Sequence, residues 1–553
     1  MVLLTVSCLL VGKKIFTDFG IDAGFQVSMS YRLAFGDQLF RDMWEPYQMS
    51  AFLCAPLIRL YETAFHTTEG VALFLQICGA LMGAAVSGFF YMTLRGERRS
   101  SGWTDPASLR ALAAALLFWT VTPKDIQLPD YSNMQLWFTM LLLLFLYRYF
   151  TKGSPWDLAL GAVMLCGTVL SYPSCILFLP LCGFFFFREG KGRGFLLFFA
   201  VCALLGLLYL VMIFQNIAPS ELLPTIRNML SLESSHAEPV LHRFGTYGIT
   251  LLGWMAVLAG IFGCCLSVLR LRGEGSAENA LWWTFLAVAL LCAGSVFFCP
   301  RISRYAYSVS FPVLMILGSR NRKYLTDMEK KLYDMGTLLS LGNFLSTVLL
   351  TNLVLIASVP YLLLGASLGL YACFKGLQEE NARFTGRIAA LSVFGLAVLM
   401  HLFFLIRPMN GDVSNILQLR GIVRRGPARG ILSEYMGPYM QNSSFAEWEQ
   451  YIREGDAIFL VGPSLDTLGY LYEDTVISAP SLVPTPGYSD ALKEYWKQHP
   501  EKYPDVVIAS CWYGEMKADL SEESWLGKWM EEEFRPESVV DGKYWRYYFR
   551  EAR

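Results

Sequence analysis

The sequence predicts an α-helical polytopic membrane protein of about thirteen transmembrane helices, followed by a small α/β domain outside the membrane. Three observations carry that prediction. Hydrophobic residues make up 54% of the 553 and charged residues only 16%, against roughly 25% charged in a soluble domain. Apolar runs approaching the ~20 residues that cross a hydrocarbon core recur up to residue 406. From residue 407 the long apolar runs stop, and short ones bounded by turn and acidic residues replace them. The chain therefore divides into a membrane part, 1–406, and a C-terminal part, 407–553.

The expected spans, in order, are 1–12, 70–94, 107–122, 134–150, 157–171, 174–187, 194–214, 246–269, 280–299, 305–318, 337–357, 359–374 and 388–406. Several are short and need flanking residues or local bilayer thinning to cross. Thr337–Phe374 is long enough for two helices, with Pro360 in the turn between them. At the start, Met1–Val11 is short and is followed by Lys13 and Lys14 on the outer side. A signal peptide carries its charges before the apolar run, not after. Either the first helix is unusually short or the natural start lies upstream.

Basic residues orient the spans, because Lys and Arg accumulate in cytoplasmic loops. One set of loops holds Arg95, Arg98, Arg99, Arg110, Arg148, Lys152, Arg188, Lys191, Arg193, Arg270 and Arg272. It continues with Arg320, Arg322, Lys323, Lys330, Lys331, Lys375, Arg383 and Arg387. The opposite loops 122–133, 215–245 and 300–304 hold only Lys124, Arg227, Arg243, Arg301 and Arg304 and are expected outside, together with the loop after the first span and everything after 406. In the C-terminal part, Asp456–Gly462 and Asp505–Ser510 read as buried strands and Tyr544–Phe549 as a last strand. Ser489–Pro504 opens with Ser-Asp and closes on proline, as a helix does.

Composition also excludes. A net charge of −1 provides no field to attract nucleic acid. The five histidines are scattered, and twelve of the thirteen cysteines lie before residue 407, in or beside apolar segments, so no disulfide framework is implied. Phosphate-binding G-x-x-x-x-G-K-[ST], H-E-x-x-H and G-x-S-x-G patterns are missing, which removes ATP-driven pumps and familiar proteases. No cofactor is required by this reading; a divalent cation has no ligand cluster behind it.

The chemistry-bearing residues gather in the outer loops. Phe16–Gln48 holds five acids, Asp18, Asp22, Asp37, Asp42 and Glu45. Phe25, Met29 and Leu33 repeat at i, i+4, i+8 and so share one helical face. Met49–Tyr61 is a second short apolar stretch, interrupted by Pro56. Both read as helices lying in the membrane interface. An acid there sits where headgroups meet water; the plain alternative is an ordinary solvated loop. In Thr122–Gln135, Asp130 stands just before a span, where it either caps the helix or serves the chemistry. In Cys299–Pro312, Arg301 and Arg304 stand in a very short outer turn. Arginine at that depth needs an anionic partner, either lipid headgroups or a substrate phosphate.

An acid in a long first outer loop, followed by Gly-Asp, resembles the membrane glycosyltransferases of the GT-C superfamily, nearest the protein O-mannosyltransferase and aminoarabinose transferase group. Their loop often reads D-E-A-x-Y before a helix and G-D-W. Here it reads Asp22-Ala23-Gly24-Phe25, with Gly36-Asp37 downstream, so Ala23 replaces the second acid. Asp130 matches the second-loop acid, and Arg304, Tyr305 and Pro312 match a short R/K-x-x-Y…P segment beside Arg301. The resemblance implies a bacterial plasma-membrane enzyme whose donor is a sugar on polyprenyl phosphate, presented at the outer leaflet. It implies Asp22 as general base on the acceptor hydroxyl, Asp130 as its helper, and Arg301, Arg304 and Tyr305 on the departing phosphate. Asp18 and Glu45 are the remaining substrate-contact candidates in the first loop. Acceptor glycan, lipid and protein all stay open. The competing readings are a transporter or flippase of lipid-linked glycans, a polymerase or ligase sharing that substrate, and a catalytically dead scaffold. A transporter is expected to place ionisable groups at the bilayer midplane; here the helix middles are nearly free of charge.

Overall fold

Proline and glycine set many of the helix limits. The computed structural model describes residues 2–17, 21–96, 105–123, 126–234, 240–273, 280, 283–284, 287, 300–350, 355–379, 416–419, 421–433, 446–461, 475–481, 488–510, 521, 524–543 and 545–551. The first helices are α1 (Val2–Thr17), α2 (Ile21–Ala34), α3 (Gln48–Phe65), α4 (Val71–Arg95), α5 (Pro106–Thr120), α6 (Tyr131–Lys152) and α7 (Pro155–Ser171). Pro106 and Pro155 open α5 and α7, where the missing N–H costs nothing. Gly153 closes α6 in the left-handed region, at φ 73°, which only glycine adopts freely. There follow α8 (Phe178–Arg188), α9 (Gly192–Phe214), α10 (Pro219–Ser234), α11 (Val240–Leu271), α12 (Pro300–Asn321), α13 (Asp327–Leu350) and α14 (Leu363–Glu379). A 3₁₀ turn, Val359–Leu362, places Pro360 between α13 and α14 as expected.

Among the described residues, five helical segments are long and apolar enough to cross a membrane: Val71–Arg95, Tyr131–Lys152, Gly192–Phe214, His242–Leu271 and Val359–Gly376. Apart from four isolated residues, the expected span 280–299 lies outside the described residues, and 388–406 does so entirely.

Three expectations are corrected. The first helix runs to Thr17, and Lys13 and Lys14 are buried inside it rather than trailing it. The 215–245 segment is not an open loop, because α10 occupies its first half. The turn expected at 300–304 is the beginning of α12, so Arg301 and Arg304 stand on a helix.

Among the described residues, two groups of contacts lie towards opposite ends of α6. At one end Arg188 and Arg322 both reach Asp334 (3.4 and 2.6 Å), Lys331 meets Glu189 at 2.5 Å, Lys375 meets Glu329, and Arg148 meets Asp157 at 3.1 Å. At the other end Tyr47 stacks on Tyr131 with ring centroids 4.3 Å apart. Tyr131 and Arg148 stand near the two ends of α6, whose 22 residues span about 33 Å.

The C-terminal part builds a five-stranded mixed sheet from β3 (Ala457–Val461), β4 (Val476–Ile477), β5 (Val506–Ser510), β6 (Ser538–Asp541) and β7 (Trp545–Phe549), in the order β4-β3-β5-β7-β6. β3 runs parallel to β4 and β5, and β7 runs antiparallel to β5 and β6. Helix α15 (Tyr488–Gln498) buries Leu492, Tyr495 and Trp496 against Phe459, Val507 and Trp529. A separate two-stranded hairpin, β1 (Gly421–Ile422) and β2 (Leu432–Ser433), precedes the sheet.

Candidate functional site at one end of the helices

Helix α2 is amphipathic on two sides, and both are covered. Ala23, Val27, Tyr31 and Ala34 pack with Cys54, Ala55 and Ile58 of α3, Val71, Ala72 and Leu75 of α4, and Ile126 and Leu128. The hairpin adds Val423, Ala428 and Ile431 to that cluster. The face expected to lie in the membrane interface, Phe25, Met29 and Leu33, instead packs on the C-terminal sheet through Trp448, Ile458, Ile508, Trp545 and Tyr547. Helix α2 is thus sandwiched between other helices and the C-terminal domain, and protein covers the stripe expected to meet lipid headgroups. Asp22 sits in its first turn, half-buried, where a carboxylate complements the helix dipole.

The hairpin is held by backbone bonds that sequence reasoning missed. Gly70 N donates to Gly426 O (3.1 Å) and Ala72 N to Pro427 O (3.0 Å), so hairpin carbonyls accept from the first N–H groups of α4. Arg429 meets Glu69 at 2.7 Å. Its sequence, with Gly426 and Gly430 around Pro427, carried the turn signal.

Asp130 is the N-cap of α6. Its Oδ1 accepts from Asn133 N at 2.8 Å, and the Asn133 amide donates in turn to Ile126 O (2.8 Å) and Leu128 O (2.9 Å). At 0% exposure Asp130 holds the loop before α6 rather than standing on an open wall. The loop presses on α4 where Gly79 lacks a side chain: a Cβ there would lie 1.9 Å from Gln127 O. Lys14, also 0% exposed, donates to Thr120 O and Thr122 Oγ1, each at 2.8 Å, and ties α1 to the start of the same loop.

Between α2, α3 and this loop lies a buried polar group of residues. Ser50 Oγ donates to Gln26 Oε1 at 3.0 Å, and Ser30 Oγ to Gln26 O at 2.7 Å. Burial pushes the Cys54 thiol up to about 12; a hydrogen bond with Ser30 works against that, and Cys78 and Asp130 add to it. Asp130 and Ser30 therefore approach the same α3 residue. Ser30 is two turns from Asp22, about 12 Å along α2. A second uncharged cluster runs down the other side of α6: Gln135 Nε2 donates to Asn343 Oδ1 (3.1 Å) and Cys175 Sγ (3.3 Å), and Tyr361 Oη to Ser132 Oγ (2.7 Å).

The other acids of the first loop are committed to structure. Asp37 takes Arg32 Nε at 2.6 Å and Lys502 Nζ at 2.5 Å. Asp42 Oδ2 accepts from Gln38 N at 2.8 Å. Glu45 is 4% exposed and follows Trp44, whose N–H donates to Pro480 O at 2.8 Å. This substrate-contact candidate is thus buried beside the joint with the C-terminal domain. Asp18 lies outside the described residues. Arg301, Arg304 and Tyr305 belong to the first turns of α12, but their side chains lie outside the described residues, as does any distance from them to Asp22. Among the described residues no group of three or more His, Cys, Asp or Glu is placed to hold a metal ion. No protein-family model matches the chain, and no characterised protein matches it in sequence.

Proposed function

We propose that the chain is a glycosyltransferase that moves a sugar from a polyprenyl-phosphate donor to an acceptor hydroxyl at the outer face of a bacterial plasma membrane. In this reading about thirteen helices cross the bilayer and the C-terminal domain lies outside. One observation carries it. Of the described acids in the first outer loop, Asp42 and Glu45 are buried, Asp37 is held between Arg32 and Lys502, and Asp130 in the neighbouring loop caps α6, whereas Asp22 is partly exposed in the first turn of α2.

Asp22 accepts the proton of the acceptor hydroxyl as that oxygen attacks the anomeric carbon. The bond from the anomeric carbon to the phosphate oxygen breaks on the opposite face, polyprenyl phosphate leaves, and the configuration inverts. Arg304 and Arg301, with Tyr305 beside them, neutralise the departing phosphate. Asp130 serves indirectly, by fixing the loop that packs on α2 and α4. Purified protein incubated with radiolabelled polyprenyl-phosphate sugars should release polyprenyl phosphate only when an acceptor is present. Absence of release across a panel of sugars and acceptors counts against the reading.

The second reading, a transporter of a lipid-linked glycan, is favoured by the uncharged cluster of Gln135, Thr139 and Asn343 inside the helices. Movement of a labelled lipid-linked glycan across proteoliposomes without sugar transfer would select it.

A further inference from the structure

The C-terminal domain meets the membrane part at a buried charged node that neither catalysis nor the hydrophobic core requires. Arg32, in the last turn of α2, has a side chain with 0% exposure. It donates through Nε to Asp37 Oδ2 at 2.6 Å and through Nη2 to Asp42 O at 2.6 Å. Asp37 Oδ1 receives Lys502 Nζ at 2.5 Å from a position 465 residues away. Tyr495 Oη donates to the same Asp42 carbonyl at 3.1 Å, and its ring meets Trp44 edge-on at 5.4 Å. Arg32 and Lys502 are thus balanced by Asp37 and the nearby Asp42.

A largely buried pair of this kind adds little net stability over an apolar contact, but removing one partner leaves the other's charge poorly compensated. What it supplies is register. The aromatic and aliphatic contacts between α2 and the sheet tolerate sliding; a carboxylate shared between two cations does not. Arg32 lies ten residues from Asp22 on one uninterrupted helix, about 15 Å along its axis.

We propose that Lys502 and Asp37 are positioning residues. Their pair fixes the C-terminal domain on α2 and thereby sets the attitude of the helix that presents Asp22, so that full turnover requires the domain to be docked. The activity arm of this inference rests on the transferase reading; the docking arm does not.

The test uses full-length protein in detergent or nanodiscs. Hydrogen exchange is followed in α2 and, as an internal control, in α6. Transfer from a polyprenyl-phosphate sugar is followed in parallel. In Lys502→Gln, exchange in α2 should rise about tenfold while α6 is unchanged. Turnover should fall roughly ten- to a hundredfold, as expected for slight misplacement of a reacting group, with the donor KM little altered. Lys502→Arg, which keeps the charge, should restore both. Arg41→Ala, at the exposed Arg41–Glu501 pair, should change neither. Unchanged α2 exchange in Lys502→Gln overturns the docking role. Raised exchange with normal turnover overturns the positioning role. A wild-type protein that transfers no sugar while Lys502→Gln still loosens α2 defeats the transferase reading and leaves the latch standing.

Discussion

Gln135 and Asn343 join α6 to α13 through one amide–amide hydrogen bond of 3.1 Å. Both side chains are fully buried, and each keeps one further amide atom without a protein partner. Replacing one alone leaves the other with a longer contact, Thr139 Oγ1 for Asn343 and Cys175 Sγ for Gln135, each at 3.3 Å, at about 0.5–1.5 kcal/mol. Gln135→Leu and Asn343→Leu should each lower stability by that order, and the double variant by less than their sum. The coupling in a membrane interior is expected near 0.6–2 kcal/mol. A double-mutant cycle on thermal unfolding in detergent checks it; strict additivity would show that the bond contributes nothing.

Gly79 is the point where the loop before α6 touches α4. A methyl group there meets the Gln127 carbonyl, a backbone atom that cannot swing aside. Gly79→Ala should therefore destabilise by about 1–3 kcal/mol and shift the Asp130 loop. Gly88→Ala, on the same helix with open space around it, should be neutral or slightly stabilising, since alanine is the better helix former. Equal stability of the two variants would contradict the packing described.

The proposed transferase chemistry assigns Asp22 to catalysis and Asp130 to structure. Asp22→Asn should unfold like the wild type yet transfer sugar about 10²–10⁴-fold more slowly, the usual contribution of a general base. Asp130→Ala removes an N-cap and should cost about 1–2 kcal/mol of stability, with any loss of turnover tracking the loss of fold. Near-normal turnover in Asp22→Asn would refute its assignment.

Burial alone would raise the Asp37 carboxyl, but the Arg32 and Lys502 cations beside it outweigh burial and hold it below the usual carboxylate range. A carboxyl lowered on folding stabilises the fold above its unfolded value, near ~3.9. That contribution disappears as pH falls through the lower, folded value. Protection of α2 against exchange should thus be level from neutral pH to about pH 4 and drop only below it. Asp37→Asn should remove that acid step. A loss of protection between pH 7 and 5 would point to a different titrating group.

Local rules made much of the fold legible. Pro106, Pro155, Gly153 and Pro360 act on their own backbones, so the limits they impose can be read without a partner. Helical periodicity likewise marked Phe25, Met29 and Leu33 as one face, because the spacing depends only on the helix. What covers that face was not legible. Periodicity reports that a stripe is buried, and a bilayer surface and a protein sheet demand the same stripe. The five acids of the first loop posed the same difficulty. Sequence showed that they cluster; only the tertiary structure showed that Asp37 meets Lys502 from 465 residues away, while Asp22 stands in the first turn of α2. An apolar chain with basic loops at alternate ends is determined residue by residue, through hydration and helix geometry. Which carboxylate becomes a strut depends on long-range packing, and no local pattern encodes that.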